Sequence, residues 1–185
     1  MLNHKGTQEL ITPRLRLRKY VLSDAEDMYK NYAADARVAR FLTWEAYTNI
    51  EDIRTFLQET MNGYSSNIYH WAIEIESSMV GGISVVSLDE KNRSCEIGYC
   101  IGYDYWNKGI TTEALRAIMA FLFNDVGIHR IMAKHDIDNP ASGKVMKNCN
   151  MTLEGRLREH YIRHDGTYAD SLVYGILRNE FKEND

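Results

Sequence analysis

The stretch Glu96–Thr112, EIGYCIGYDYWNKGITT, combines residue types that could bind an anion. A predicted strand leads into a short loop, and the apolar run EALRAIMAFLF then continues as a helix. Backbone N–H groups in the first turn of a helix have no partner within the helix, and with the helix dipole they favour a bound phosphate. Gly109 allows close approach of a ligand, Lys108 adds positive charge, and Thr111 and Thr112 could cap the helix or donate to the anion.

A plain helix cap is the alternative interpretation of this loop. The chain contains no G-x-x-x-x-G-K-[ST] motif, because Gly143 and Lys144 are followed by Val145, and it contains no G-x-G-x-x-G dinucleotide motif. A phosphate bound here would therefore lie in a loop of a different kind.

The strand before the loop carries a candidate general base. Strand alternation predicts one apolar face, with Glu96, Gly98 and Cys100 on the other face. The small neighbours of Glu96 leave room for a ligand, and a carboxylate that is costly to ionise suits a general base near neutral pH. The alternative is that Glu96 faces solvent or pairs with an arginine such as Arg93 or Arg130.

Composition limits the class of protein. A chain of 185 residues can form one domain with a sizeable core, and we expect a single domain over residues 1–185. A net charge of −4 with dispersed basic residues predicts no nucleic-acid partner. The acidic balance is compatible with a cationic or amine substrate.

Cysteine usage and hydropathy indicate the compartment. Three cysteines without a C-x-x-C motif predict reduced thiols in a cytoplasmic protein. The polar start MLNHKGTQELITPR predicts no signal peptide, and no apolar run approaches membrane-spanning length, so we expect no membrane partner. His160 and His164 flank a predicted turn without a third ligand, so we predict no metal site.

Capping and periodicity predict the elements that position these residues. Alternation predicts strands over Arg14–Tyr20, Tyr69–Glu76, Val80–Leu88, Ser94–Ile101, His129–Asp136, Thr152–Ile162 and Tyr168–Leu177. Capping boxes, apolar stripes and an Asn-Pro start predict helices over about Ser23–Tyr32, Thr48–Asn62, Gly109–Val126 and Asn139–Asn148. The capping boxes begin at Ser23 and Thr48, and Gly127 is expected to end the third helix. This order predicts an α/β (α+β) fold with a mixed, mostly antiparallel twisted sheet of about seven strands and helices on both faces.

This order, with five motifs, resembles the GNAT superfamily of acyl-CoA N-acyltransferases, in particular its RimJ/RimL branch. The resemblance extends from about Thr12 to Phe181. Its motifs are TPRLRLR at Thr12–Arg18, EIGYCI at Glu96–Ile101, YWNKGITTEAL at Tyr105–Leu115, DNPAS at Asp138–Ser142 and LEGRLREHY at Leu153–Tyr161. In the general loop pattern [QR]-x-x-G-x-[GA], Trp106 and Thr111 replace the usual first and last residues.

The resemblance implies an acetyl-CoA site. The pyrophosphate is expected on the loop formed by Asn107, Lys108, Gly109, Ile110, Thr111 and Thr112. The strand Glu96–Ile101 is expected to diverge from the strand beginning at His129, so that the pantetheine arm bonds to backbone near Tyr99 and Ile101. Asn139 matches a residue that contacts this arm, and Lys144 and Lys147 are possible phosphate neighbours.

The resemblance also implies catalytic roles. Ser142 matches a residue near the thioester sulfur that could protonate the leaving thiolate, and Glu96 matches a strand glutamate that is the general base in some relatives. Tyr161 and Tyr168 are other candidates for the acid. The alternative for Ser142 is an exposed helix residue, and for the tyrosines it is packing in the hairpin.

The implied activity is acetyl transfer from acetyl-CoA to a primary amine by direct attack, in a monomer or homodimer. The acceptor would be a protein N-terminus, as in ribosomal-protein acetylation, or a small-molecule or antibiotic amine. Its determinants are expected in Phe41–Tyr47 and Tyr161–Tyr168. Two other classes stay open on sequence alone: a non-catalytic acyl-CoA sensor on the same fold, and a nucleotide-binding protein.

Overall fold

One twisted sheet organises the computed structural model, which describes residues 1–182. Its eight strands lie in the order β1-β2-β3-β4-β5-β6-β8-β7. Neighbouring strands are antiparallel except for β5 and β6, which are parallel. The strands are β1 Leu10–Ile11, β2 Arg16–Arg18, β3 His70–Ile75, β4 Ser78–Asp89, β5 Ser94–Ile101, β6 Arg130–Asp136, β7 Thr152–Ile162 and β8 Tyr168–Leu177.

Five α-helices within residues 1–182 pack on the sheet: α1 Asp24–Met28, α2 Ala36–Ala39, α3 Ile50–Gly63, α4 Ile110–Phe121 and α5 Pro140–Asn148. A π-helical turn extends α4 over Leu122–Val126 and ends at Gly127, whose φ of 87° gives the predicted left-handed stop. None of the described helices has both the length and the apolar character needed to span a membrane.

Helices lie on both faces of the sheet because its central strands are apolar on both faces. In β3, Trp71 and Ile73 pack in a core with α4, whereas Ala72 packs in a second core with α1 and α3. This two-sided burial confirms the predicted mixed sheet with helices on both faces.

The details of the sheet and loops differ from the sequence-based prediction. The sheet has eight strands because the short β1 pairs with β2, and β2 covers only the centre of the strand predicted over Arg14–Tyr20. The stretch between the first two predicted helices contains α2, which Asp35 caps by accepting a hydrogen bond from the N–H of Arg37.

The capping residues predicted for the two capping boxes, Ser23 and Thr48, were wrong. Ser23 makes no side-chain cap hydrogen bond in the described chain. Instead, the Asp24 carboxylate accepts hydrogen bonds from the N–H of Val21 and from the guanidinium of Arg18. At α3 the cap is Asn49, whose extended backbone directs Oδ1 to within 3.0 Å of the Glu51 nitrogen.

Candidate active site

The gap between β5 and β6 defines the site. The two strands pair only over Ser94–Glu96 and Arg130–Met132, although both continue further. This confirms the divergence that the family resemblance implied. A cavity of about 260 Å³ lies at the gap, bordered by the end of β5, the start of α4 and the first turns of α5.

The edge of β5 presents backbone groups to this gap. The N–H of Gly102 donates to the carbonyl of Val80 in β4, at 2.9 Å. Because strand backbone groups alternate in direction, those of Ile101 and Tyr99 point the other way, toward the space that β6 has left. The carbonyl of Ile101 accepts a hydrogen bond from Nε1 of Trp106 at 2.9 Å, whereas the N–H groups of Tyr99 and Ile101 face the gap.

The start of α4 presents a second set of donors. Gly109 is the N-cap residue with a φ of 73°, and no side chain within residues 1–182 caps this helix. The first helical hydrogen bond runs from the N–H of Glu113 to the carbonyl of Gly109. The amides of the residues between them therefore have no acceptor within the helix. These residues line the cavity: Ile110, Thr111 and Thr112.

Arg14 holds the loop before α4 in place, a role that sequence reasoning did not assign. Its Nη1 donates to the carbonyl of Lys108 at 2.9 Å, and its Nε donates to the Glu113 carboxylate at 2.6 Å. The Thr12 hydroxyl donates to the same carboxylate. Burial alone would raise the pKa of Glu113, but the hydrogen bonds from Thr12 and Arg14 outweigh it and hold this pKa below its ordinary value.

A tyrosine–serine pair faces the cavity from the other side. Asn139 caps α5, with Oδ1 accepting from the N–H of Ser142 at 3.2 Å. The hydroxyls of Tyr99 and Ser142 are 3.0 Å apart, and the Tyr99 hydroxyl also donates to the carbonyl of Ser142 at 3.1 Å. Burial raises the pKa of Tyr99 well above its ordinary value. This tyrosine is therefore a neutral hydrogen-bonding group that orients the serine hydroxyl.

Glu96 lies in the sheet outside the residues that line the cavity. Its carboxylate is 3.0 Å from Nζ of Lys134, rather than paired with Arg93 or Arg130. Cys100 lies on the same face of β5 and lines the cavity. It is four residues from Glu96, which corresponds to about 13 Å along a strand. Any proton transfer from the cavity to Glu96 would have to pass through water.

The remaining candidates take different positions. The Tyr161 hydroxyl donates to Asp136 at 2.6 Å, and the Tyr168 side chain is exposed, so neither hydroxyl lies in the cavity lining. Lys144 lines the cavity, whereas Lys108 does not. Within residues 1–182, no group of three or more His, Cys, Asp or Glu residues is placed to hold a metal ion.

The aromatic loop contributes one wall of the cavity. Phe41 lines it together with Val38 and Leu42, whereas Trp44 and Tyr47 pack against each other at 5.7 Å between ring centroids. Further lining residues that sequence reasoning did not assign are Cys100, Tyr105 and Trp106. Among these, Cys100 is a protonated thiol, since burial raises its pKa to about 11.

Comparison with known proteins adds family evidence to this geometry. The Acetyltransferase (GNAT) domain family matches residues 14–152. An uncharacterized N-acetyltransferase, YoaA of Bacillus subtilis (strain 168), is 31% identical over 172 residues, which cover 91% of this chain and 96% of YoaA.

One solved structure and one relative that matches about half of the chain extend the comparison. The Microcin C7 self-immunity acetyltransferase MccE, solved in complex with acetyl-CoA and AMP, has a TM-score of 0.80 and 25% identity, covering 90% of this chain and 93% of that chain. A ribosomal-protein-serine acetyltransferase of Escherichia coli (strain K12) is 29% identical over 102 residues, which cover 55% of this chain and 56% of that protein.

Proposed function

The chain belongs to the GNAT acetyltransferase domain family, and we propose that it acetylates the α-amine of a protein N-terminus. It is an acetyl-CoA-dependent N-acetyltransferase of the RimJ/RimL-like kind. The acceptor is the proposed part. It is supported by the similarity of about half the chain to a ribosomal-protein-serine acetyltransferase.

The observation that supports an acetyl-CoA site in this cavity is the meeting of two unpaired backbone edges there. The amides at the start of α4 suit the pyrophosphate of acetyl-CoA, with Asn107 in the lining beside it and the Gly109 backbone open to close approach. The free edge of β5 suits the pantetheine arm, which carries amides that can pair with the backbone of Tyr99 and Ile101. The Nδ2 of Asn139 remains available as a further donor, since Oδ1 is used in the cap.

The geometry supports direct transfer. The neutral amine forms a bond to the thioester carbonyl carbon, and a β5 N–H group at the gap that the pantetheine arm leaves free polarises the carbonyl oxygen. The carbon–sulfur bond then breaks, and the thiolate takes a proton from the Ser142 hydroxyl, which Tyr99 orients. Water returns a proton to Ser142, so the proton that the amine loses balances the one that the thiolate gains. The proton lost by the amine reaches Glu96 through water, because Glu96 lies outside the cavity lining.

A small-molecule amine is the second candidate acceptor. It is supported by the similarity in fold to MccE, which was solved with acetyl-CoA and AMP. The wall of Val38, Phe41 and Leu42 makes one side of the cavity apolar. An apolar acceptor of either class, a protein N-terminus or a small-molecule amine, would be compatible with this wall.

The test begins with calorimetric titration of acetyl-CoA, desulfo-CoA and ATP. Binding of both CoA compounds without binding of ATP would support the proposed cofactor site. Acetyl transfer is then measured to peptides with N-terminal serine or alanine, and to spermidine and other small amines. Acetylation of the small amines alone would overturn the protein acceptor.

The Gly109→Glu variant tests the phosphate position. We expect loss of acetyl-CoA binding, because the carboxylate adds a negative charge next to the amides that suit the pyrophosphate, and it would compete for the Arg14 guanidinium 3.5 Å from the added Cβ. The matched control is Gly127→Glu, which has the same left-handed backbone, with a φ of 87°, at the other end of the same helix. It carries a similar backbone penalty, so equal loss of binding in both variants would contradict the assignment.

A further inference from the structure

Asp136 is a fully buried carboxylate at the end of β6, and its side chain has 0% exposure. It accepts hydrogen bonds from the Tyr161 hydroxyl at 2.6 Å and from Nε and Nη2 of Arg163 at 2.6 and 2.8 Å. It also accepts one from the N–H of Asp138 at 2.8 Å. Four donors therefore converge on one carboxylate, which joins the β6–α5 loop to the far end of the β7–β8 hairpin.

Both ends of this connection lie close to the proposed active site. Asp136 is three residues before Asn139, the cap of α5, and α5 carries Ser142. Arg163 and the hairpin residues His164 and Asp165 line a groove that also contains Phe41. Because Phe41 also lines the cavity, the hairpin tip and the cavity share a wall.

Apart from the backbone hydrogen bond from the N–H of Ile137 to the carbonyl of Asp170 at 3.1 Å, the hairpin tip has few contacts that fix its position. The β7–β8 pairing is interrupted between Leu157 and Tyr161, and the side chains of Ile162 and Tyr168 beyond this irregularity are more than half exposed. A hairpin end without a buried apolar face is held mainly by its polar contacts. The cluster around Asp136 supplies those contacts, and the Asp138 carboxylate adds a bond to Nη2 of Arg163 at 2.6 Å.

We propose that Asp136 is a positioning residue that latches the β7–β8 hairpin to the start of α5 and thereby sets the groove through which the amine acceptor reaches the cavity. This inference rests on the proposed function for its acceptor. The latch consists of Asp136, Asp138, Tyr161 and Arg163, all outside the proposed chemistry.

The charge state of the latch is consistent with this role. Burial alone would raise the pKa of Asp136, but hydrogen bonds from Arg163 and Tyr161 outweigh it and hold this pKa below its ordinary value. Burial and the neighbouring carboxylate raise the pKa of Tyr161 to about 12, so this phenol stays a donor. The latch is therefore closed throughout the neutral range.

The test compares Asp136→Asn with Glu154→Gln. Glu154 pairs with Arg130 and joins the same strands, β6 and β7, at the end remote from the cavity. For Asp136→Asn we expect the KM of the N-terminal serine peptide to rise by about tenfold or more, with the Kd of acetyl-CoA unchanged. We expect Glu154→Gln to leave both constants unchanged. An unchanged peptide KM in Asp136→Asn would overturn the proposal.

A double variant separates positioning from loss of stability. Asp136→Asn leaves the Arg163 guanidinium with the exposed Asp138 carboxylate as its remaining acidic partner, and loss of the buried partner destabilises the fold. In Asp136→Asn/Arg163→Gln the charge that lost its buried partner is gone, so we expect the Tm to recover while the peptide KM stays raised. Recovery of KM together with Tm would mean that Asp136 acts only through stability, and it would overturn the latch.

Hydrogen–deuterium exchange tests whether Asp136 holds the hairpin tip in place, and this measurement needs no acceptor. We expect the amides of residues 160–168 to exchange faster in Asp136→Asn, with those of the loop 107–112 unchanged. Unchanged exchange at the hairpin tip would overturn the latch. If the wild-type enzyme acetylates none of the peptides, the proposed acceptor fails, and the exchange result still judges the latch.

Discussion

The single residue that most affects the proposed proton path is Glu96. Its carboxylate lies 3.0 Å from Nζ of Lys134, in the part of β5 that is still paired with β6. The sequence indicated a carboxylate on the same strand face as Gly98 and Cys100, but it did not indicate Lys134 as partner. That ion pair joins two strands, and its formation depends on their register rather than on local sequence.

The Glu96→Gln variant tests the water-relayed path. We expect the Kd of acetyl-CoA to be unchanged and kcat near neutral pH to fall by roughly 100-fold, the lower end of the range for loss of a general base. Lys134→Met is the matched control, because it removes the ion pair and keeps the carboxylate. Steady-state kinetics with both variants decides, and a Glu96→Gln enzyme with wild-type kcat would remove Glu96 from the mechanism.

At the scale of elements, α5 depends on one close contact with the sheet. A Cβ atom added at Gly143 would lie 2.6 Å from Nε2 of His135, which is buried beneath the helix. Glycine at this position therefore allows α5 to approach β6, and it fixes the height of Ser142 above the sheet. The Asn139-Pro140 start of this helix was predictable from local sequence, whereas the contact with His135 joins residues eight positions apart in separate elements.

The Gly143→Ala variant should lower both stability and turnover. The added methyl group forces α5 or His135 to move, and overpacking of this kind costs about 1–3 kcal/mol of unfolding free energy. We expect kcat to fall as well, because Ser142 moves with the helix. Urea unfolding and steady-state kinetics measure the two effects. Gly63→Ala, in α3 with nothing within 4 Å of the added Cβ, should leave kcat unchanged and raise the unfolding free energy slightly, because alanine is the better helix residue. Equal behaviour of the two variants would contradict the contact.

At the scale of the whole molecule, stability should depend on pH through the same histidine. Desolvation by burial lowers the pKa of His135 below its ordinary value, although its Nδ1 contacts the carbonyl of Asp136 at 2.7 Å. Its Nε2 is a buried side-chain nitrogen that has no hydrogen-bond partner in the described part of the chain. The folded state therefore favours the neutral imidazole.

The sign of the pH effect follows from this lowered pKa. Above the unfolded-state pKa of about 6.5 both states are neutral, and the full stability is present. As the pH falls below that value, the unfolded state binds a proton first, so the free energy of unfolding decreases until the folded pKa is reached. Urea unfolding of wild type and His135→Gln between pH 5 and 8 should show a smaller slope in the variant. His70→Gln serves as comparison, since burial lowers the pKa of His70 too.

Apart from the two capping boxes, sequence and structure agree where the signal is local and differ where it is long-range. Strand alternation, the Gly127 stop and the Asn139 cap all depend on neighbouring residues, and each was predicted. The clamp between Arg14 and Glu113 spans 99 residues, and that between Asp136 and Arg163 spans 27. No pattern in the sequence specifies which charges meet after the sheet has folded, so these contacts required the structure.

The free edge of β5 has a thermodynamic consequence. A sheet interrupted after Glu96 leaves part of its hydrogen-bonding capacity unused, and the proposed acetyl-donor site would use it. Donor binding is thus coupled to folding, and occupancy at a hundredfold excess over Kd would add about 2.7 kcal/mol to the free energy of unfolding. On the proposed site the donor would serve as a removable strand, and we expect the enzyme to resist unfolding and proteolysis best when acetyl-CoA is plentiful.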